Sequence, residues 1–172
     1  AQVGAIAHQF KFVSDEVGPA SASLAVSVLA GASVAGWLAG GWLVTFVPLR
    51  AFVLLMLAFQ SFALLAFPLA TGEVGFLLAS GALGLSVGNL LMLQPLLLAD
   101  GFGVRDYSRI YSFGNLITTL GVAAGPVLLG LLHDLNDDYR LPFLAAAVVS
   151  TLALAWMAIV GSAASLAAPV ED

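Results

Sequence analysis

The chain alternates long uncharged runs with short polar breaks. Each of five uncharged runs exceeds the roughly 20 residues that an α-helix needs to cross a hydrocarbon layer, and they occupy 17–49, 51–72, 74–99, 110–132 and 141–170. The alternating pattern of membrane β-strands is absent, so each run predicts a transmembrane helix. Prolines 19, 48 and 142 fit helix starts. The expected spans are about 19–40, 49–69, 74–98, 109–132 and 141–162.

The first ten residues, AQVGAIAHQF, are apolar but too short to span a membrane. They carry neither an initiator Met nor the basic start of a signal peptide. We therefore interpret them as the end of a helix that stops near Phe10 and whose beginning is missing. The predicted fold class is all-α, a polytopic transmembrane helix bundle with five full spans plus the end of a truncated first helix, in a fragment of a longer protein.

Composition supports a membrane protein whose main partner is the lipid bilayer. The 172 residues are 61% hydrophobic and only 9% charged, whereas soluble domains are about 25% charged. The net charge of -5 argues against nucleic acid as a partner. Because the chain has no cysteine, disulfides, thiolate nucleophiles and thiolate metal ligands are excluded.

An intramembrane enzyme would need paired carboxylates, a Ser and His pair, or a metal motif such as H-E-x-x-H. The two histidines, His8 and His133, are far apart in sequence, and neither has an acidic residue placed as in that motif. The sequence therefore predicts no enzyme, no metal site and no cofactor. Both histidines and Tyr139 fall at expected helix ends, which favours solvated or interfacial positions.

Small residues recur at helical spacing in three of the expected spans. On the second helix every fourth residue is small, with two further glycines, and glycines four apart follow on the third and fourth full spans: Ser23, Ser27, Gly31, Ala35 and Ala39, plus Gly36 and Gly40, then Gly84 and Gly88, then Gly121 and Gly125. Because association of helices in lipid depends on close backbone approach, this spacing predicts a tightly packed bundle.

The stretch DGFGVRDYSRIYSFGNLITTLGVAAGPVLLGLLHD, residues 100–134, carries a recognisable series of residues. The matching positions are Asp100, Phe102, Gly103, Arg105, Arg109, Gly125, Pro126, Gly130 and Asp134. It resembles the tenth to eleventh helices of major facilitator superfamily transporters, closest in look to the monocarboxylate and oxalate/formate type branch. DDYRLPF, 137–143, resembles the start of helix twelve. GWLAGGWLVTFVPLR, 36–50, resembles the loop motif between helices eight and nine, with Gly40 and Gly41 in its acidic and first basic positions.

This resemblance implies that residues 1–172 are the C-terminal six-helix half of such a transporter, from the end of helix seven through helix twelve. It implies secondary active or facilitative transport of a small polar or anionic solute by alternating access, with the missing N-terminal half as a partner. It also implies an integral protein of the inner or plasma membrane with a cytoplasmic C-terminus. No expected span holds a charged residue near its centre, so a carboxylate for proton coupling would lie in the missing half.

A non-transporting membrane scaffold or sensor of the same fold stays open as an alternative. The glycines at positions 40 and 41 mildly favour it, since they replace the charges of the loop motif. The Lys and Arg count, three on the side of Arg50 against two on the other, favours the Arg50 side as cytoplasmic.

Polar residues within the spans are the candidates for a substrate cavity, because such groups are costly in lipid and face a cavity or another helix. The candidates are Asn89, Gln94, Asn115 and Thr118. On the fourth full span, Ser112, Asn115, Thr118 and Thr119 follow three- and four-residue steps and form one polar stripe. The alternative is that each side chain only bonds a neighbouring helix.

The stretch ADGFGVRDYSRIY, 99–111, concentrates charge in an otherwise apolar chain. Asp100 falls at the C-terminal end of a helix, where the macrodipole disfavours an anion. We therefore predict a cytoplasmic loop clasp, in which Asp100 forms a salt bridge with Arg50, Arg105 or Arg109 and stabilises one transport conformation. An ordinary solvated loop is the alternative.

Overall fold

A computed structural model describes the backbone of residues 1–102 and 107–166 and the side chains of residues 1–100 and 107–160. These residues form six α-helices: α1 (Gln2–Val17), α2 (Pro19–Leu43), α3 (Leu49–Leu69), α4 (Gly72–Phe102), α5 (Tyr107–Asn136) and α6 (Arg140–Leu166). Helices α2 to α6 are long and apolar enough to cross a membrane. The predicted all-α bundle with five full spans is therefore confirmed, and the chain is an integral membrane protein.

Helix α1 is longer than the sequence pattern predicts. It runs to Val17 and ends at Gly18, whose φ of 96° is a conformation that glycine adopts readily. The prediction that it stops near Phe10 is wrong because the charged residues after that point belong to an exposed helical face. Lys11 and Asp15 pair there at i and i+4, a spacing that supports a helix.

The two ends of the bundle have separate apolar cores. At the His8 end, where α1 and α5 finish and α6 begins, Phe12, Phe67 and Phe143 are fully buried or nearly so. At the Arg50 end, where α2 and α4 finish and α3 begins, Phe52 and Leu93 form a smaller core against which Met157 of α6 packs.

Helices α2 and α4 form the most extensive helix pair, and glycines bring their backbones together. A Cβ on Gly84 would overlap the carbonyl oxygen of Leu29, and one on Gly88 would overlap that of Ser33. From the other side, a Cβ on Gly36 would lie 2.6 Å from the carbonyl oxygen of Leu85. The predicted close packing is therefore present, with G-x-x-x-G spacing on both helices.

Of the small residues that the sequence suggests for α2, Gly36 and Gly40 pack against α4 and the longer four-residue row does not. Ser23, Ser27, Gly31, Ala35 and Ala39 are all exposed, and a Cβ on Gly31 would meet nothing within 4 Å. The buried positions of α2 are Ala22, Ala25, Leu29, Gly36 and Gly40. A four-residue repeat of small residues occurs on both faces of this helix, so spacing alone does not select the packed face.

Candidate functional site

Two of the predicted cavity residues, Gln94 and Thr118, join α4 to α5. The Gln94 side chain donates from Nε2 to the Thr118 hydroxyl at 3.2 Å. That hydroxyl in turn donates to the carbonyl oxygen of Gly114 on its own helix at 2.9 Å, which orients its lone pairs for the glutamine. Pro95, beside Gln94, lies inside α4 and removes a backbone donor there. The two helices therefore share a polar contact within their apolar spans.

Asn115 lies one turn from this contact, on a face of α5 that the described helices leave uncovered. Ser112, Asn115 and Thr119 are all exposed, and the most apolar stretch of α5 is only 11% buried. The hydroxyls of Ser112 and Thr119 donate to the carbonyl oxygens of Ser108 and Asn115. No hydrogen bond within the described ranges holds the Asn115 amide, so its donors and acceptor face outward from the bundle.

Asn89 lies apart from this face, in the seam between α2 and α4. It is 5% exposed and donates from Nδ2 to the carbonyl oxygen of Leu85 at 2.9 Å. Its Oδ1 is buried, has no hydrogen-bond partner and fills the space beside Gly40, where a Cβ would overlap it. Asn89 and Gly40 also line a cavity of about 290 Å³ between α2, α3 and α4.

The structure thus brings Gln94 and Thr118 together, places Asn115 beside them, and separates Asn89. The assignment of these four residues to a substrate cavity stays a prediction.

The charged residues of the predicted loop clasp are dispersed where the structure describes them. Arg50 donates from Nη2 to the carbonyl oxygen of Ala158 on α6 at 3.2 Å. Asp100 and Arg109 are exposed, and among described side chains no ion pair joins Asp100 to Arg50 or Arg109. Arg105 lies outside the described residues. The clasp therefore stays a prediction, with Arg105 as the arginine still to be placed.

A cluster at the His8 end was missed at the sequence level. The Nε2 atom of His8 lies 2.9 Å from the carbonyl oxygen of Pro126 on α5, and since a carbonyl only accepts, Nε2 carries the proton. Beside them, a Cβ on Gly4 would lie 2.8 Å from the Gly125 carbonyl group. His8 is therefore half-buried and hydrogen-bonded rather than freely solvated, and its expected interfacial depth stays a prediction. No periodic signal pairs residues so far apart in sequence.

Tyr139 completes this cluster and is 8% exposed; its expected depth at the membrane interface stays a prediction. Its ring stacks on His133 with centroids 4.0 Å apart and lies 5.7 Å from His8. Burial raises the pKa of the Tyr139 hydroxyl above its usual value of 10.0, and the Asp15 carboxylate adds to the shift. An ion pair of 3.6 Å between Arg140 and Glu16 ties the end of α1 to the start of α6.

Glutamines within the apolar helices make two further links. Gln9 donates to Ser80 at 2.9 Å, joining α1 to α4, and Gln60 donates to Ser150 at 3.1 Å, joining α3 to α6. Both glutamines are buried. Gln60 could have been noticed in the sequence as a lone amide within the uncharged run 51–72, but only the fold identifies Ser150 as its partner.

Comparison with known proteins gives one consistent similarity. No family model matches the chain. Monocarboxylate transporter 1 of Mus musculus and of Rattus norvegicus is 31% identical over 86 residues, covering 50% of this chain and 17% of the relative. The Homo sapiens protein of the same name is 33% identical over 82 residues, covering 48% of this chain and 16% of the relative. The matched segment thus spans about one sixth of the length of these curated relatives, and the chain is similar in part to a monocarboxylate transporter.

Proposed function

We propose that this chain is the C-terminal six-helix half, from the end of helix seven through helix twelve, of a major facilitator superfamily transporter. In this proposal it acts with an N-terminal half to move a small polar or anionic solute by alternating access. The partial similarity to monocarboxylate transporter 1 supports transport, and supports a monocarboxylate as the first solute to test.

The observation that carries the proposal is the uncovered face of α5. This face combines exposed apolar side chains such as Phe113 and Leu120 with the outward amide of Asn115. A purely lipid-facing helix has no use for that amide, because a polar group is costly in hydrocarbon. A face against a second helical half with a solute cavity between them accounts for both kinds of side chain. The exposed small residues of α2 supply a second surface on which that half could pack closely.

Within that cavity Asn115 contributes two amide donors to an anionic solute, and the bond from Gln94 to Thr118 holds α4 and α5 in register beside it. Asn89 would act through the α2 and α4 seam, since its amide is bonded to its own helix. The absence of a charged side chain from the centre of every expected span assigns any proton-coupling carboxylate to the other half.

Uptake of radiolabelled short-chain monocarboxylates into proteoliposomes that contain the full-length protein tests this function. Asn115→Leu should lower the initial rate about tenfold, because a hydrogen bond to a charged group is worth about 1.5 to 3 kcal/mol. Thr151→Val is the matched control, since Thr151 is an exposed residue of α6 whose hydroxyl only bonds the Ala147 carbonyl. Uptake that is equal in both variants would remove Asn115 from the site. No uptake of monocarboxylates, dicarboxylates or neutral sugars would favour the scaffold or sensor.

The proposed orientation places the Arg50 end and the C-terminus in the cytoplasm of an inner or plasma membrane. The 172 residues contain no cysteine, so a reporter cysteine placed in them is unique once any cysteine elsewhere in the full-length protein is replaced by serine. In intact cells a membrane-impermeant maleimide should label Asp138→Cys at the His8 end and leave Thr45→Cys at the Arg50 end unlabelled. The reverse labelling pattern would invert the topology without affecting the transport proposal.

A further inference from the structure

A groove of about 670 Å³ runs between α3, α4 and α6 toward the Arg50 end. Its walls are almost entirely apolar and come from all three helices: Val53, Leu57, Leu93, Leu97, Trp156 and Met157. Val53 and Leu93 form its buried floor, while Trp156 is 71% exposed at its rim. A groove of this composition in a membrane protein suits a hydrocarbon chain.

Arg50 stands at one end of this groove. Residues 50, 53 and 57 follow steps of three and four along α3 and therefore share a face of the helix. The Arg50 side chain crosses to α6, where Nη2 donates to the carbonyl oxygen of Ala158 at 3.2 Å, next to Met157 of the groove wall. The candidate span of α3 begins at Leu49, so this guanidinium lies at the depth of the membrane interface.

The charge of Arg50 is uncompensated over the parts of the chain that the structure describes. No described carboxylate lies within 4.0 Å of it, and its buried Nε has no hydrogen-bond partner. A guanidinium has five N–H donors, of which the Ala158 carbonyl takes one. Phosphate oxygens accept such donors in pairs, and the phosphates of lipid headgroups are the anions present at this depth.

We propose that the groove between α3, α4 and α6 binds an anionic phospholipid, with an acyl chain along the apolar walls and the headgroup phosphate on Arg50. A soluble anion would use the arginine but not the groove, and a neutral lipid would use the groove with less benefit from the charge. Gln94 also lines this groove, so the groove adjoins the contact between α4 and α5, but its apolar walls lie on α3, α4 and α6 and lipid binding there does not depend on transport.

Fluorescence quenching tests this directly, in a variant of the full-length protein in which every tryptophan except Trp156 is replaced by phenylalanine. The protein is reconstituted into vesicles that contain brominated phosphatidylglycerol or brominated phosphatidylcholine. From the extent of quenching by each lipid, the site at Trp156 should bind phosphatidylglycerol about fivefold more strongly than phosphatidylcholine, as expected for one basic residue near an anionic lipid. The matched control keeps Trp37 instead, which lines an apolar groove between α2 and α4. Arg50 bonds to α6 and to neither of those helices among the described hydrogen bonds, so the lipid preference at Trp37 should be close to one.

Arg50→Gln should bring the preference at Trp156 close to one, while Arg50→Lys should retain part of it because the charge remains. Equal quenching by the two lipids in the parent protein, or an unchanged preference in Arg50→Gln, would overturn the proposal. If Arg50→Gln does not fold, the lipid preference of the parent protein is measured at several salt concentrations instead. The preference should weaken as ionic strength rises, and a preference insensitive to salt would also overturn the site.

Discussion

The α-carbon of Gly88 lies directly against the carbonyl oxygen of Ser33, leaving no room for a Cβ between α4 and α2. Ser33 and Gly88 occupy the middle of the seam that continues to Asn89 and Gly40. Because the obstacle at Gly88 is backbone rather than a flexible side chain, the two helices must separate to admit even a methyl group.

Gly88→Ala should therefore destabilise the protein by about 1 to 3 kcal/mol, the usual cost of overpacking. Gly81→Ala is the matched control on the same helix, since its Cβ would make an ordinary contact of 3.5 Å with Val28. That variant should be neutral or gain up to about 1 kcal/mol from helix propensity. Unfolding midpoints in detergent measure both, and equal midpoints would contradict the tight seam.

The bond between Gln94 and Thr118 should appear as coupling in a double-mutant cycle. Gln94→Leu and Thr118→Val each remove one partner, and their combined effect should fall short of additivity by about 0.6 kcal/mol, the average for interhelical hydrogen bonds in membranes. Gln94→Leu combined with Thr151→Val should be additive, because those residues share no hydrogen bond. Unfolding free energies in detergent give the coupling, and a coupling of zero for the first pair would show that α4 and α5 do not depend on this contact.

The spans were predictable because a helix that crosses the hydrocarbon layer must be apolar and nearly free of charge. Uncharged runs located α2 to α6 closely, and the prolines at 19 and 48 marked true starts. The same rule failed at α1, where Lys11 and Asp15 lie within a helix that extends beyond the apolar run. Charge ends a membrane span, but it does not end a helix.

The candidate site was predictable only as a set of residue types. The polar interruptions Gln94 and Thr118 were singled out as cavity residues, which stays a prediction, and the hydrogen bond between them follows from the way α4 meets α5. Asn89 belongs to the same pattern in sequence, yet it points into a seam whose opposite wall is Gly40. Tertiary contacts decide which face of a uniformly apolar helix packs, and the sequence pattern does not predict that face.

The Ser150 hydroxyl makes two hydrogen bonds to α3. It accepts from Gln60 Nε2 at 3.1 Å, and it donates to Ser61 Oγ at 3.0 Å because the single proton of Ser61 goes to the Leu57 carbonyl. Ser150→Ala should cost about 1 to 2 kcal/mol, since it leaves the buried Gln60 amide without a partner for its donors. Adding Gln60→Met should recover part of that loss, because it removes the unsatisfied group. Ser86→Ala serves as a control, as that buried hydroxyl bonds only its own helix. An additive loss in the double variant, measured by unfolding in detergent, would contradict this account.

Tyr139 should contribute stability that disappears in alkali. Burial raises its pKa in the folded protein above the usual value of 10.0, so folding favours the protonated phenol. The contribution is complete below pH 10 and is lost as the pH rises through the raised pKa. The unfolding midpoint of the parent protein should thus decrease as the pH rises above 10, and the midpoint of Tyr139→Phe should decrease less steeply over the same range. Identical slopes would show that this tyrosine ionises as freely in the folded protein as in the unfolded chain.

His8 should stabilise the crossing of α1 and α5 through the proton on Nε2 rather than through the bulk of its ring. His8→Leu removes the donor to the Pro126 carbonyl and should cost about 0.6 kcal/mol, with an upper limit near 1.7 kcal/mol. His8→Gln is the matched variant, because its terminal amide supplies a donor at a similar distance from the backbone. Unfolding in detergent should place His8→Gln closer to the parent than His8→Leu. If His8→Leu is as stable as the parent protein and His8→Gln is less stable, packing at Gly4 and Gly125 stabilises this crossing and the hydrogen bond contributes nothing.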